Sequence, residues 1–199
     1  MESCRTDAIG AVNSYLRQMK EEKEAEGRVS LIIFDSQSID VIRAGVPAAT
    51  CAELGASEYE PRASTPLLDA VAEGVRVLDT KSQPAERRVL AIMTDGLENA
   101  SKEHTKETIK ALLDRKQKEG WLVVYLGTGH DAWTQAGQIG LAAGNVMHYA
   151  RSHTRATMVQ VMKRQQRFAA AVDATAEAQK GGFTDAERAE AGEKPGKAS

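Results

Sequence analysis

Val89-Leu90-Ala91-Ile92-Met93-Thr94-Asp95-Gly96 is the stretch on which the fold turns. Five apolar residues stop abruptly at a hydroxyl, a carboxylate and a glycine. The run is too short for a helix, and its unbroken apolarity predicts a strand buried on both faces. Val29-Ser30-Leu31-Ile32-Ile33-Phe34 and Trp121-Leu122-Val123-Val124-Tyr125-Leu126 read the same way. Around these runs the apolar residues recur every three or four positions. Ile9, Val12, Leu16 and Met19 predict a first helix, with Ser3 as candidate cap and Gly27 as stop. Leu67, Leu68, Val71, Val75 and Leu78 predict a second, opening at the cap and first-turn proline of Ser64-Thr65-Pro66. Ile109, Leu112 and Leu113 predict a third, which ends at Gly120.

Residues 39–43 and 145–149 are read as shorter strands and 132–139 as a short helix. Residues 154–178 are read as one long helix with Met158, Val161, Met162, Phe168, Ala169 and Val172 on a single face. Strands alternating with helices imply a doubly wound α/β fold, a mostly parallel sheet with helices on both faces. The domain spans 1–180, and 181–199 is read as a flexible tail in which Thr184 could cap one short turn.

Composition narrows the function classes. Hydrophobic residues make up 42% and charged residues 27%, which supports a sizeable core and argues against wholesale disorder. A net charge of -2 supplies no electrostatic footprint for nucleic acid or an anionic membrane. No apolar run approaches the roughly 18 residues that cross a bilayer. The polar start Met1-Glu2-Ser3-Cys4 has no signal-peptide pattern. Cys4 and Cys51 are far apart and lack metal-ligand spacing. They read as reduced thiols of a cytoplasmic protein, with a single disulfide left open.

In open α/β sheets, ligands sit beyond the carboxyl ends of the strands. Two segments there carry oxygen donors. One runs from Pro61 to Ala70 and holds Ser64, Thr65 and Asp69, the other from Ile92 to Ser101 and holds Thr94, Asp95 and Glu98. Hydroxyls and carboxylates are hard ligands suited to Mg²⁺, which takes about six oxygens. Taken alone, Ser64 and Thr65 are also ordinary helix caps and Asp95-Gly96 an ordinary turn.

Thr65-Pro66-Leu67-Leu68-Asp69-Ala70 followed by a hydrophobic strand ending in Thr94-Asp95-Gly96 resembles the von Willebrand factor type A (vWA) family. So do Ala8 to Leu16, which resemble its first helix, and the stretch from Gly120 to Ala132, which resembles small stand-alone bacterial members. The resemblance implies a non-catalytic protein-binding module with a metal-ion-dependent adhesion site. Thr65 matches the second-loop threonine and Asp95 the third-loop aspartate. Ser64, Asp69 and Glu98 are supporting candidates. The bound Mg²⁺ would accept a carboxylate from an unidentified partner protein, and some such modules serve ATPase-linked assemblies.

This sequence departs from the family at its start. The Asp-x-Ser-x-Ser loop that ends the family's central first strand is absent, and Met1 stands directly before the first helix. The expectation is a misassigned start or a chain cut at that methionine. Magnesium binding is then very weak or lost. The two strands flanking the gap either close on each other or take a strand from a partner, since each buried unpaired backbone group costs about 1–3 kcal/mol. Asp35-Ser36-Gln37-Ser38 does not replace the missing motif, because Gln37 and Ile39 stand where hydroxyls are needed. It is read as a turn.

The alternative function is a nicotinamide-dinucleotide oxidoreductase. Gly127-Thr128-Gly129 begins a G-x-G-x-x-A pattern between a strand and a helix. No acidic residue ends the next strand to hold a ribose. His104, His130, His148 and His153 form no metal spacing, and neither a P-loop nor G-x-S-x-G occurs.

Overall fold

The structure, a computed structural model, describes residues 2–21, 27–60, 64–128 and 131–193. Helix α1 (Glu2–Glu21) leads into strand β1 (Arg28–Phe34), which forms a hairpin with β2 (Ile39–Pro47). Then follow α2 (Leu67–Lys81), β3 (Val89–Thr94), α3 (Lys106–Lys118), β4 (Leu122–Gly127), α4 (Ala132–Gln138) and β5 (Val146–His148). Helices α5 (Thr154–Ala170), α6 (Ala174–Lys180) and α7 (Asp185–Glu190) complete the chain. The architecture is α/β, and β3, β4 and β5 form a parallel sheet in that order.

Strand β4 is the centre of the molecule, and every residue in it is buried. Its two faces serve two cores. Val123 and Tyr125 face a cluster with Leu67, Val71, Ile109 and Leu113 from α2 and α3. Leu122, Val124 and Leu126 face one with Met158, Val161 and Phe168 from α5. This alternation is the period-two rule of a strand applied to a sheet covered on both sides.

The sheet is interrupted. Strand β1 has a ladder partner only in β2, and β3 only in β4, so the described strands form two separate sheets. Arg28 at the start of β1 pairs with Glu86, just before β3, at 3.3 Å. Helix α2 spans the gap: a methyl group on Gly74 would stand 3.1 Å from Leu90 Cδ1 and 3.9 Å from Ile32 Cδ1. The two strands therefore start at the same end and run the same way, with a slot of about 660 Å³ between them. The expectation that β1 and β3 are fully buried strands is corrected here. In β1 only Val29 is buried and in β3 only Ile92, and Leu31 to Phe34 are half-buried because they border the slot, as all of β3 does. The flanking strands have not closed on each other.

Asp35 makes the turn expected of it. Its Oδ1 accepts from the backbone N–H of Gln37 at 2.7 Å and of Ser38 at 3.2 Å. Three other expectations need correction. Ser3 lies inside α1 rather than at its cap.

The long C-terminal helix is two helices. It breaks at Ala171, Val172 is fully exposed and Ala169 is also exposed, and Asp173 caps α6 by accepting from Ala176 N–H at 2.8 Å. The break lets α6 turn back so that Arg164, wholly buried on α5, reaches Glu177 Oε1 at 2.6 Å and its carbonyl oxygen at 2.7 Å. The region read as a flexible tail is packed as far as 193. Thr184 caps α7 in a reciprocal box with Glu187, Phe183 and Ala191 are buried, and Arg167 pairs with Glu187. Residues 194–199 lie outside the described residues.

No helix among the described residues is long and apolar enough to cross a membrane. Cys51 is a buried free thiol.

Candidate functional site

The lip beyond β3 is built from two loops tied together at backbone level. Thr65 N–H donates to Asn99 Oδ1 at 2.8 Å, and Asn99 N–H donates to the Thr65 carbonyl at 3.2 Å. This reciprocal pair holds the loop before α2 against the loop after β3. The Thr65 hydroxyl packs on Gly96, where a side chain would collide with it. Gly96 is the residue after Asp95, so Thr65 lies against the loop that carries Asp95. Ser64, Thr65, Thr94 and Asp95 all border the mouth of the slot. Asp95 is exposed there, while Ser64 and Thr65 are half-buried.

The turn that presents Asp95 is stiffened from several directions. Thr94 Oγ1 accepts from Gly96 N–H at 3.1 Å and lies 3.2 Å from the Gly96 carbonyl, to which it donates. Thr128 Oγ1 donates to the Asp95 carbonyl at 3.4 Å. Gln135 on α4 accepts from Glu98 N–H at 2.8 Å and donates to the Gly96 carbonyl at 3.4 Å. Two strand ends and helix α4 thus converge on one loop, at the carboxyl edge of the parallel sheet.

Asp69 and Glu98 have a different job from Thr65 and Asp95. Glu98 Oε2 accepts from Leu68 N–H at 3.0 Å and from the Ser101 hydroxyl at 2.8 Å, while its Oε1 accepts from Ala100 and Ser101 N–H at 3.0 and 2.9 Å. Ser101 Oγ also accepts from Leu68 and Asp69 N–H at 3.0 and 3.2 Å. The expectation that Ser64 or Thr65 caps α2 is corrected by this arrangement. Pro66 occupies the N-cap position without a side-chain hydrogen bond, and the orphan N–H groups are satisfied from the loop after β3.

Asp69 answers in the other direction. Its carboxylate accepts from the backbone of Lys102 at 2.7 Å and of His104 at 2.9 Å, and its Oδ1 is 3.0 Å from the His104 ring. Burial alone would raise the Asp69 pKa. The backbone N–H of Lys102 and the His104 contacts outweigh it and hold the carboxyl below its usual range.

The sequence assigns no individual role at the site to Asn99, Ser101, Gln135 or His104. Their signal is non-local, since each acts on a residue at least 30 positions away except where Ser101 meets Glu98. The alternative dinucleotide motif is only partly described, because Gly129 lies outside the described residues. At Gly127 the chain is crowded: a side chain would collide with Ala132 and stand 2.9 Å from Tyr125 Cε1. That close strand–helix packing accounts for this glycine without a ligand.

Among the described residues no group of three or more His, Cys, Asp or Glu side chains is placed to hold a metal ion. The lip offers one carboxylate and one or two hydroxyls, short of the roughly six oxygens of a magnesium shell. Fold and site together define an α/β domain with an oxygen-rich loop pair at the carboxyl edge of its parallel sheet. The chain matches no protein-family model, no curated protein and no solved structure.

Proposed function

We propose that the chain is a vWA-type, non-catalytic protein-binding module whose lip at Thr65 and Asp95 is a Mg²⁺-dependent adhesion site with an incomplete ligand set. The observation that carries the reading is the packing of the Thr65 hydroxyl on Gly96, next to Asp95, at the carboxyl end of β3. Two residues 30 positions apart in sequence border one slot, which supports the reading. Interruption of the sheet between β1 and β3 fits the same reading, because the family's motif-bearing strand belongs there.

In this role Asp95 supplies the negative charge and Thr65 a neutral oxygen. Asp69 and Glu98 act indirectly, by locking the two loops in register. A bound Mg²⁺ would supply an electrophilic centre for a carboxylate of the partner protein. With so few protein oxygens its affinity is weak, since most of the shell is left to water. The group it would take is the carboxylate of an acidic side chain on another protein, in the cytoplasm.

A pull-down from the native cytosol tests this. Wild-type chain should retain an interactor in magnesium and release it in EDTA, while Asp95→Ala should fail to retain it in either. Retention that is equal in magnesium, in EDTA and with Asp95→Ala would overturn the reading.

A further inference from the structure

We propose that the slot between β1 and β3 is a docking site for one extended apolar strand of a partner polypeptide, opened by an acidic residue. This goes beyond the metal reading and does not rest on it, because the argument uses the sheet edges and not the lip.

The occupant's backbone is specified by the slot's two walls. All of Arg28–Phe34 and all of Val89–Thr94 border it, and each of these strands has a ladder on its other side only. Two parallel edges facing one gap offer N–H and carbonyl groups to a strand and to little else. Its length follows from the walls, which are seven and six residues long. At Gly74 helix α2 comes close to both edges, since a methyl group there would lie within 4 Å of Leu90 and Ile32.

The occupant's side chains are specified by the two faces. Leu67, Val71 and Leu78 of α2 close one face, and Val12, Met158 and Phe168 close the other. A strand buried on both faces is an unbroken apolar run. Its leading residue is specified by charge. Arg28, Lys81, Arg87 and Arg88 border the slot with Glu86; Arg28 pairs with Glu86 and Arg87 and Arg88 donate to neutral carbonyls, so this group of five keeps a net positive charge. A strand running parallel to its neighbours begins there, so an acidic residue ahead of the apolar run is matched to it.

No stretch of these 199 residues outside the described elements has that chemistry. Residues 22–26 read Glu-Lys-Glu-Ala-Glu, 61–63 Pro-Arg-Ala and 194–199 Lys-Pro-Gly-Lys-Ala-Ser. The occupant is therefore a segment from outside them.

Hydrogen–deuterium exchange of the full chain, in EDTA, tests the docking with the synthetic peptide Glu-Val-Ile-Val-Leu-Ile-Val-Lys. Saturating peptide should slow exchange at least tenfold in both Arg28–Phe34 and Val89–Thr94. The same peptide with proline at its centre should do nothing, because proline cannot sit in a central strand. A lysine in place of the leading glutamate should weaken binding several-fold. Four results overturn the proposal. One is protection of both strands in the free chain equal to that of β4, which means that the slot closes on itself. Another is protection that rises with protein concentration alone, which means that a second copy fills it. The third is protection only when the apolar strand is joined covalently ahead of Met1. The last is binding of the peptide without protection of both strands. Because magnesium is absent throughout, failure here leaves the adhesion-site reading standing, and success does not support it.

Discussion

Thr65 and Asn99 exchange hydrogen bonds across the two loops of the lip, the threonine N–H to the asparagine side chain at 2.8 Å and the asparagine N–H to the threonine carbonyl at 3.2 Å. The first bond depends on a side chain and the second does not. Asn99→Ala therefore removes one of two ties. An exposed neutral hydrogen bond of this kind contributes about 0.5–1.5 kcal/mol. Urea unfolding should show a loss in that range, and the amide resonance of Thr65 should shift.

Glu98→Ala should cost more. The variant leaves the N–H groups of Ala100 and Ser101 without their acceptor, and leaves Leu68 N–H in the opening turn of α2 with Ser101 Oγ alone. Losing a partner for partly buried donors costs about 1–3 kcal/mol. Thermal unfolding should report a lower Tm, and Glu98→Gln should recover part of it. An unchanged Tm in Glu98→Ala would show that Ser101 alone caps the helix.

Asp69 predicts an acid-sensitive loop. Its carboxyl is held below its usual range by N–H donors, so the folded state favours the ionised form. The stability it contributes is fully present above the unfolded-chain value of about 3.9 and is lost as pH falls through the lower folded-state value. Asp69→Asn should be destabilised at pH 7. The gap between variant and wild type should narrow as pH drops below about 4, as read by urea midpoints across the range.

Arg164 is wholly buried and meets Glu177 at 2.6 Å, while its Nε has no hydrogen-bond partner among the described residues. Removing one member of a buried ion pair strands the other and costs about 3–5 kcal/mol. Glu177→Ala should therefore destabilise severely. Arg164→Met paired with Glu177→Leu should recover much of the loss, because both charges then leave the interior. Chemical denaturation of the two variants checks this.

The readable parts of the fold were those with local signals. Leu122–Gly127 is an apolar run that becomes the central strand, and Leu67, Val71 and Val75 declare the buried face of α2 by their spacing. Thr65 and Asp95 stand at boundaries that the sequence marks, Thr65 just before α2 and Asp95 just after β3. What failed was decided by distant contacts. Val172 continues an apolar stripe, yet the helix breaks before it so that Glu177 can return to Arg164. Residues 181–193 are poor in large apolar groups, but Phe183 and Ala191 find cover against the α5 side of the sheet. Glu98 and Asp69 read as supporting candidates, but the backbone N–H groups they accept from across the two loops are marked by no sequence pattern.

The most direct test of the adhesion site is a ¹H–¹⁵N NMR titration of the chain with MgCl₂. Fast-exchange shifts that grow without early saturation should appear at Thr65, Asp95 and Gly96, and should vanish in Asp95→Ala while the rest of the spectrum is unchanged. Shifts confined to other parts of the molecule, or none at any magnesium concentration, would contradict the assignment.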